Sequence, residues 1–117
     1  MTERQFTNAV MRVGEQLGWK AAHFGNTLKV VRGKDGQTKV IPDRDATGFP
    51  DLVLTRDGRL VFAELKVGRG RPTPSQQNWL DALHKVTERA LDATGMSFVE
   101  VFTWTTADWD EIREVLT

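Results

Sequence analysis

Apolar residues in the first segment of the chain recur at helical spacing. From Phe6 onward they follow one another every three or four positions, which predicts an amphipathic helix over residues 3–17. Thr2 and Gln5 form a capping box at the start of this segment, and Gly18 is a typical residue at a helix end. The chain therefore opens with one helix whose apolar stripe faces a core.

Beyond this helix, apolar and polar positions alternate in short runs, which is typical of strands that expose one face. Two Asp-Gly pairs, Asp35-Gly36 and Asp57-Gly58, lie between such runs and predict tight hairpin turns. The segment therefore predicts strands over residues 20–24, 28–32, 38–41, 51–54 and 60–66.

The last third of the chain returns to helical spacing. Thr73 and Gln76 form a second capping box, and the apolar positions that follow predict a helix over residues 74–92. A strand and a helix complete the chain, over residues 97–103 and 107–116. We expect Thr105 or Thr106 to be the N-cap of the final helix. This order of elements predicts one mixed α/β domain over residues 1–117.

Composition narrows the range of functions. The chain has 117 residues, 27% charged and 39% hydrophobic, which is the balance of an ordinary soluble domain. It has no cysteine, which excludes disulfides and Cys-based zinc sites, and two histidines, too few for a His-rich metal centre. No apolar run approaches the ~20 residues of a membrane span, and a signal-peptide core is lacking. We therefore expect a cytoplasmic protein with no membrane partner.

The net charge of zero conceals an asymmetry along the chain. Residues 1–71 carry 13 Lys and Arg against 8 Asp and Glu, whereas residues 72–117 carry 3 against 8. A basic first part favours a polyanionic partner, although segregation by chance explains the same numbers equally well.

The strand over residues 60–66 breaks its apolar pattern at the end. Glu64 and Lys66 share one face of this strand, about 7 Å apart at about 3.3 Å per residue. Pairing about the Asp57-Gly58 turn places Asp51 of the preceding strand opposite the region of Glu64 to Lys66. Two carboxylates and a lysine at one sheet edge favour phosphodiester hydrolysis with Mg²⁺, which prefers hard oxygen ligands. A surface ion pair and a turn cap explain each residue singly, but not the convergence of all three.

The segment GFPDLVLTRDGRLVFAELKVGRGRPTPSQQNWLDAL, residues 48–83, resembles the VRR-NUC branch of the PD-(D/E)xK nuclease superfamily. The shared order is Gly-x-Pro-Asp, then Glu-x-Lys, then a Gly-rich turn and a Thr/Ser-Pro-x-Gln helix. Both ends of the chain resemble the first helix and the last strand and helix of the family. The resemblance implies a restriction-endonuclease-like fold in the order α-β-β-β-α-β-α, with a mixed central sheet flanked by helices.

The resemblance also implies a Mg²⁺ site, with Mn²⁺ as a substitute. Asp51 and Glu64 correspond to the carboxylate ligands, and Leu65 to the residue that lends its backbone carbonyl to the metal. Lys66 corresponds to the catalytic lysine.

Two further residues have competing explanations. Glu3 corresponds to the first-helix acid, which reaches the metal directly or through a bound water, but a favourable charge at a helix N-terminus explains it equally well. We expect its side chain to point along the edge of the core and not out to solvent. Gln76 corresponds to the helix glutamine of the family, and its place in the capping box is an equal explanation.

Basic residues near the site predict contacts with the DNA backbone. Arg69 and Arg71 lie in the glycine-rich loop directly after Lys66. A charged hairpin before Gly48, where many relatives have a shorter passage, adds three more candidates: Lys34, Lys39 and Arg44. This hairpin serves either as a DNA-facing arm or as a completion of the sheet.

The function implied by the resemblance is that of a Mg²⁺-dependent DNA endonuclease of the stand-alone type found in phages and bacteria. Stand-alone members of this group resemble structure-specific nucleases that act as homodimers on branched DNA, including Holliday junctions. With one site per chain, symmetric cutting of two strands requires two subunits. Two alternatives stay open: a DNA-binding or interaction module of the same fold without catalysis, and a nuclease for linear DNA with the same metal chemistry.

Overall fold

The computed structural model describes residues 1–24, 28–42 and 47–117. These ranges contain three helices and six strands, which confirms the predicted mixed α/β domain. The elements are α1 (Glu3–Gln16), β1 (Lys20–His23), β2 (Leu28–Arg32), β3 (Thr38–Pro42), β4 (Leu52–Arg56), β5 (Arg59–Lys66), α2 (Pro74–Thr94), β6 (Val99–Thr105) and α3 (Trp109–Leu116).

Four of the strands form one mixed sheet in the order β1-β4-β5-β6. β1 pairs with β4 and β4 with β5 in antiparallel fashion, whereas β5 and β6 run parallel. α2 supplies the crossover between these two parallel strands, as a parallel pair requires. With its helices, this sheet has the expected order α-β-β-β-α-β-α.

The two remaining strands, β2 and β3, form a separate antiparallel hairpin. In the part of the chain that the structure describes, neither strand joins the four-stranded sheet. The interpretation that this hairpin completes the sheet is therefore wrong. The hairpin is an insertion between two neighbouring strands of the sheet, β1 and β4.

One face of the sheet carries the main hydrophobic core. Side chains alternate along β5, so that Val61, Ala63 and Leu65 are buried together on this face, beneath α1 and α3. The opposite face carries Phe62 and is covered by α2. The core consists of Phe6, Val10, Trp19, Leu52, Leu54, Val61, Ala63, Leu65, Trp104, Ile112 and Leu116.

Both predicted capping boxes are present. In α1 the backbone N–H of Thr2 donates to Gln5 Oε1 at 2.8 Å and the Gln5 N–H donates to Thr2 Oγ1 at 3.1 Å. Thr73 and Gln76 form the same reciprocal pair at the start of α2. Each box provides hydrogen-bond acceptors for two backbone N–H groups that a helix start otherwise leaves to solvent.

The N-cap expected for α3 is wrong. Thr105 is the last residue of β6, and its backbone N–H and hydroxyl both donate to Asp108 Oδ2, at 2.7 and 3.1 Å. Asp108 is the N-cap residue, but its side chain makes no capping bond. The carboxylate binds back to the strand end, and the helix therefore starts later than predicted, at Trp109.

Other boundaries differ by one or two residues. α2 continues to Thr94 and ends at Gly95, which has a left-handed backbone with φ of 70°. β6 starts at Val99 and not at residue 97. No helix within the described ranges combines the length and the apolar character needed to cross a membrane.

Candidate active site

Asp51 and Glu64 face each other across the β4–β5 pair. Leu52 pairs with Ala63 in the observed register, so the next residue outward on each strand is Asp51 and Glu64. The backbone N–H of Leu65 donates to Asp51 Oδ2 at 2.8 Å. The hairpin thus brings the two acids together where the two central strands of the sheet end, opposite each other as the sequence predicted.

Asp51 is held by the segment that precedes it. Gly48 has φ of +82°, and a Cβ atom at this position would lie 2.5 Å from the backbone carbonyl carbon of Ser75. Only glycine satisfies both constraints, the left-handed backbone and the close approach to α2. Pro50 is fully buried. The Gly-x-Pro-Asp order therefore has a physical basis, because it brings the chain against the start of α2 before it enters β4.

An aromatic cluster braces the same segment. The ring of Phe49 makes edge contacts with Phe24, Phe62 and Trp79, with centroids 5.4, 6.0 and 5.2 Å apart. These four rings join β1, β5 and α2 to the residues directly before Asp51. Each such pair contributes about 0.5–1.5 kcal/mol beyond its area burial, so the cluster fixes the backbone on which Asp51 sits. Trp79 closes this cluster toward solvent, since the residue is 38% exposed.

Glu64 is a buried carboxylate without a hydrogen-bond donor. Its relative exposure is 0%, and neither of its carboxylate oxygens has a hydrogen-bond partner among the described residues. The nearest cation is Lys66, whose Nζ lies 3.5 Å from Glu64 Oε1. Burying a carboxylate in this way is unfavourable unless a bound group compensates for the lost hydration.

The surroundings of Glu64 change its acidity. Burial, and after it the negative charge of Asp51, together raise the pKa of Glu64 to about 8. The ammonium group of Lys66 lowers the pKa but does not compensate. In the absence of a bound cation, the Glu64 carboxyl is therefore largely protonated at neutral pH. A divalent cation reverses this preference, since it binds the ionised form.

Lys66 connects the pair of acids to α1. Its side chain is 12% exposed, and Nζ lies 3.7 Å from Glu3 Oε1 as well as near Glu64. Glu3 itself is 51% exposed, so the expectation that its side chain avoids solvent is wrong. Glu3 starts α1, and solvent reaches its outer side. The helix nevertheless places this acid beside the catalytic candidate Lys66, and its role toward a metal stays a prediction.

The residues at this edge fit a divalent cation with hard oxygen ligands. Glu64 supplies two oxygens that accept no hydrogen bond among the described residues, Asp51 supplies a second carboxylate, and Leu65 lies between Glu64 and Lys66 with its backbone carbonyl. No group of three or more His, Cys, Asp or Glu side chains that could hold a metal ion occurs within residues 1–24, 28–42 and 47–117. Two carboxylates suffice for Mg²⁺, because it usually keeps several waters and takes substrate phosphate oxygens as further ligands.

Gln76 has the structural role that its sequence position predicts. Its Oε1 accepts the Thr73 backbone N–H at 2.8 Å, and the residue is half-buried at the start of α2. Its neighbour Ser75 is the residue that Gly48 approaches. The capping role is thus present, and a role in catalysis stays a prediction.

Thr103 is a neighbour of the site that no sequence pattern indicated. It pairs with Glu64 across the parallel β5–β6 ladder, so both side chains lie on the same face, and Thr103 is exposed. A hydroxyl group at this position lies next to the buried carboxylate. The signal in the sequence was a polar residue that follows three largely buried apolar positions of β6, at the level of Glu64 in the neighbouring strand.

The structure places the basic candidates in two regions. Arg69 and Arg71 are exposed in the turn after β5, where the Gly70 N–H donates to the Val67 carbonyl at 3.1 Å. Lys34 and Lys39 are exposed on the β2–β3 hairpin. Arg44 lies outside the described residues. The two loop arginines thus follow Lys66 by three and five positions along the chain, whereas the two hairpin lysines belong to a separate element.

Comparison with known proteins finds no protein-family model that matches this chain and no curated protein with significant sequence similarity to it.

Proposed function

We propose that this protein is a divalent-metal-dependent DNA endonuclease that uses Mg²⁺, or Mn²⁺ in its place, to hydrolyse phosphodiester bonds. The observation that carries the proposal is Glu64, a fully buried carboxylate whose two oxygens accept no hydrogen bond among the described residues. It lies opposite Asp51, and its Oε1 is paired with Lys66 Nζ at 3.5 Å. A site that leaves a buried acid without a donor is prepared for a ligand that brings positive charge.

Each residue of the site has a distinct task in this proposal. Asp51 and Glu64 hold the cation, together with the Leu65 carbonyl. The bound cation supplies Lewis acidity and neutralises the charge that develops on the phosphate. Lys66 donates hydrogen bonds from its nearly buried ammonium group, which stabilises the developing negative charge and orients the attacking water. Glu3 holds the Lys66 ammonium from its solvent side.

The substrate class follows from charge around the site. Arg69 and Arg71 are exposed within five residues of Lys66, and we expect them to contact the phosphate backbone. Contacts of this kind give affinity that does not depend on base sequence and that weakens with salt. DNA is therefore the proposed substrate, with branched DNA such as a Holliday junction as the proposed preferred form, a homodimer as the acting species and the cytoplasm as its location.

The test incubates the purified protein with junction, linear duplex and single-stranded DNA, in Mg²⁺, in Mn²⁺ and in chelator. The same assay compares Asp51→Asn and Lys66→Ala with a matched control, Asp57→Asn. Asp57 is 89% exposed at the opposite end of the same hairpin. We expect metal-dependent cleavage in wild type and in Asp57→Asn, and a loss of at least about 1,000-fold in the two site variants, equivalent to about 4 kcal/mol.

Several outcomes would contradict the proposal. Cleavage that persists in chelator or in Asp51→Asn would show that the chemistry lies elsewhere. Salt-dependent DNA binding without any cleavage would support the inert-module alternative. Equal rates on linear duplex and junction DNA would favour the linear-DNA nuclease, and a monomer that cuts junctions symmetrically would exclude the homodimer.

A further inference from the structure

The β2–β3 hairpin buries little of its own surface. Val30 and Val40 are cross-strand partners on one face of the hairpin, and they are 68% and 63% exposed. Within the described residues, no third strand pairs with either edge. An isolated two-stranded hairpin is marginally stable in water, since it lacks an apolar surface to pack against. The exposed face is therefore available for a partner.

The hairpin is also strongly basic. Residues 28–42 carry four Lys and Arg against one Asp, a net charge of +3. Arg32, Lys34 and Lys39 are exposed, and none of the ion pairs among the described side chains involves them. Unpaired, exposed cations beside an apolar patch favour a polyanion as the partner.

Both legs of the hairpin start at the candidate active site. The incoming leg leaves β1 at Phe24, whose backbone N–H donates to the Asp51 carbonyl at 2.7 Å. Leu28 follows Phe24 by four positions, so the base of the hairpin lies within about 14 Å of Phe24. On the other side, the hairpin ends at Pro42, nine positions before Asp51 in the chain. The hairpin is therefore tethered at the edge of the sheet where the two acids meet.

We propose that the β2–β3 hairpin is an arm that binds duplex DNA next to the bond to be cut, an inference that rests on the proposed nuclease function. Each strand has five residues and spans about 17 Å. Added to the reach of the tether, this span keeps the arm within about one helical turn, about 34 Å, of the active site. A two-stranded ribbon of this kind fits the major groove of B-DNA. The cations contact phosphates, and Val30 and Val40 face the groove.

A second copy of the hairpin is a less favourable partner. Symmetric pairing of two hairpins would bring a net charge of +3 against another +3, and like charges in cross-strand positions are destabilising. Phosphates, in contrast, release counterions when these cations bind.

The experiment measures DNA affinity separately from cleavage. In an Asp51→Asn background, the binding of a 30-base-pair duplex is followed by fluorescence anisotropy between 50 and 300 mM NaCl. The hairpin variant Arg32→Gln/Lys34→Gln/Lys39→Gln is compared with Arg12→Gln/Lys85→Gln/Arg89→Gln, which removes three exposed cations from helices. A single variant, Lys34→Gln in the turn, serves if the triple variant fails to fold.

We expect the slope of log affinity against log salt to fall by about 2 to 3 in the hairpin variant, at about 0.9 per lost phosphate contact, and by about 0.9 in Lys34→Gln. The helix variant should change the slope by less than about 1.

Equal slopes in the hairpin and helix variants would overturn the inference. A change in sedimentation mass without a change in slope would also overturn it, because the hairpin would then bind protein. Mg²⁺-dependent cleavage by the wild-type chain tests the nuclease proposal independently, so the failure of one is distinguishable from the failure of the other.

Discussion

The two ends of the β4–β5 hairpin differ in how their charged side chains are partnered. At the turn end, the Arg56 guanidinium donates to three backbone carbonyls at 2.8 to 3.0 Å, and Arg59 donates to both carboxylate oxygens of Glu100 at 2.9 Å. At the open end, Glu64 is fully buried and has no donor among the described residues. At the turn end only Arg56 Nε, among the described guanidinium nitrogens, is buried without a hydrogen-bond partner, whereas at the open end both carboxylate oxygens of Glu64 are.

The turn end acts as a lock between the sheet and α3. Both guanidiniums lie over the Trp19 ring, with 4.7 and 5.0 Å between each Cζ and the ring centroid. The indole N–H of Trp19 donates to the Leu116 carbonyl at 2.8 Å, and Arg59 reaches the Val115 carbonyl at 3.1 Å. Cation–π contacts and charge-assisted hydrogen bonds stabilise this end. The difference indicates that stability is concentrated at the turn, and that the open end is left for a ligand.

Replacing Arg56 should destabilise the turn end of the hairpin without changing the open end. Arg56→Ala leaves the Leu17 and Thr117 carbonyls without this donor, and we expect a loss of about 3 kcal/mol in the free energy of unfolding. Urea denaturation measures the loss, and the metal-dependent cleavage rate at 20 °C should stay within about twofold of wild type.

Arg113→Ala is the control for this variant. The Arg113 side chain is 63% exposed, and its ion pair with Asp110 spans 3.9 Å, so its removal should change stability by less than about 0.5 kcal/mol. If Arg56→Ala destabilises the protein no more than Arg113→Ala does, the turn end is not a lock.

Metal should sharpen the contrast by stabilising the open end. A ligand that binds only the folded state, present at 100 times its dissociation constant, raises the free energy of unfolding by about 2.7 kcal/mol. We expect Mg²⁺ to raise the thermal midpoint of the wild-type chain and of Arg56→Ala by comparable free energies. Glu64→Gln should show no such rise. A Mg²⁺ effect that survives in Glu64→Gln would place the cation away from this site.

The acidity of Glu64 predicts a pH dependence of the metal-free protein. The pKa of Glu64 rises from 4.5 to about 8 on folding, so between these values the folded state holds a proton that the unfolded state has released. Stability therefore falls as pH increases through this window, with a slope of at most about 1.4 kcal/mol per pH unit. The loss is complete above the folded pKa and absent below the unfolded pKa.

Denaturation in chelator at several pH values measures this slope. Glu64→Gln lacks the titrating group, so its stability relative to wild type should increase from pH 5 to pH 8. Parallel pH curves for the two proteins would show that Glu64 is not perturbed by its surroundings.

Sequence patterns predicted what depends on near neighbours. The capping boxes at Thr2 and Thr73 follow from residues three positions apart, and the Asp57-Gly58 turn fixed the register that brings Asp51 to Glu64. The order of elements and the set of acids and lysine were therefore accessible from sequence. In each case the determining contact lies within one turn or one hairpin.

What the sequence could not predict depends on packing between distant segments. The contact of Gly48 with Ser75 joins a loop to a helix start 27 positions away, and no local pattern reveals it. α3 starts later than the sequence pattern predicted because the Asp108 carboxylate accepts hydrogen bonds from the end of β6. These bonds compete with a capping bond to the helix start. The separation of β2–β3 from the main sheet also leaves no periodic signal, since a free hairpin and a sheet hairpin alternate alike.

The smallest expected effect distinguishes a structural from a catalytic role for the glutamine of the capping box. Gln5 and Gln76 occupy the same position in two capping boxes and accept the same bond, each at 2.8 Å. Replacing either with Ala should lower stability by about 0.5 to 1 kcal/mol, because one helix-start group loses its partner. We expect only Gln76→Ala to lower cleavage further, by about tenfold, since its helix start contacts the segment that carries Asp51. Urea denaturation and single-turnover cleavage of the two variants measure the two effects separately. Equal cleavage rates at equal stability would make Gln76 a cap and nothing more, and the active site would then consist of the open end of the hairpin with Glu3.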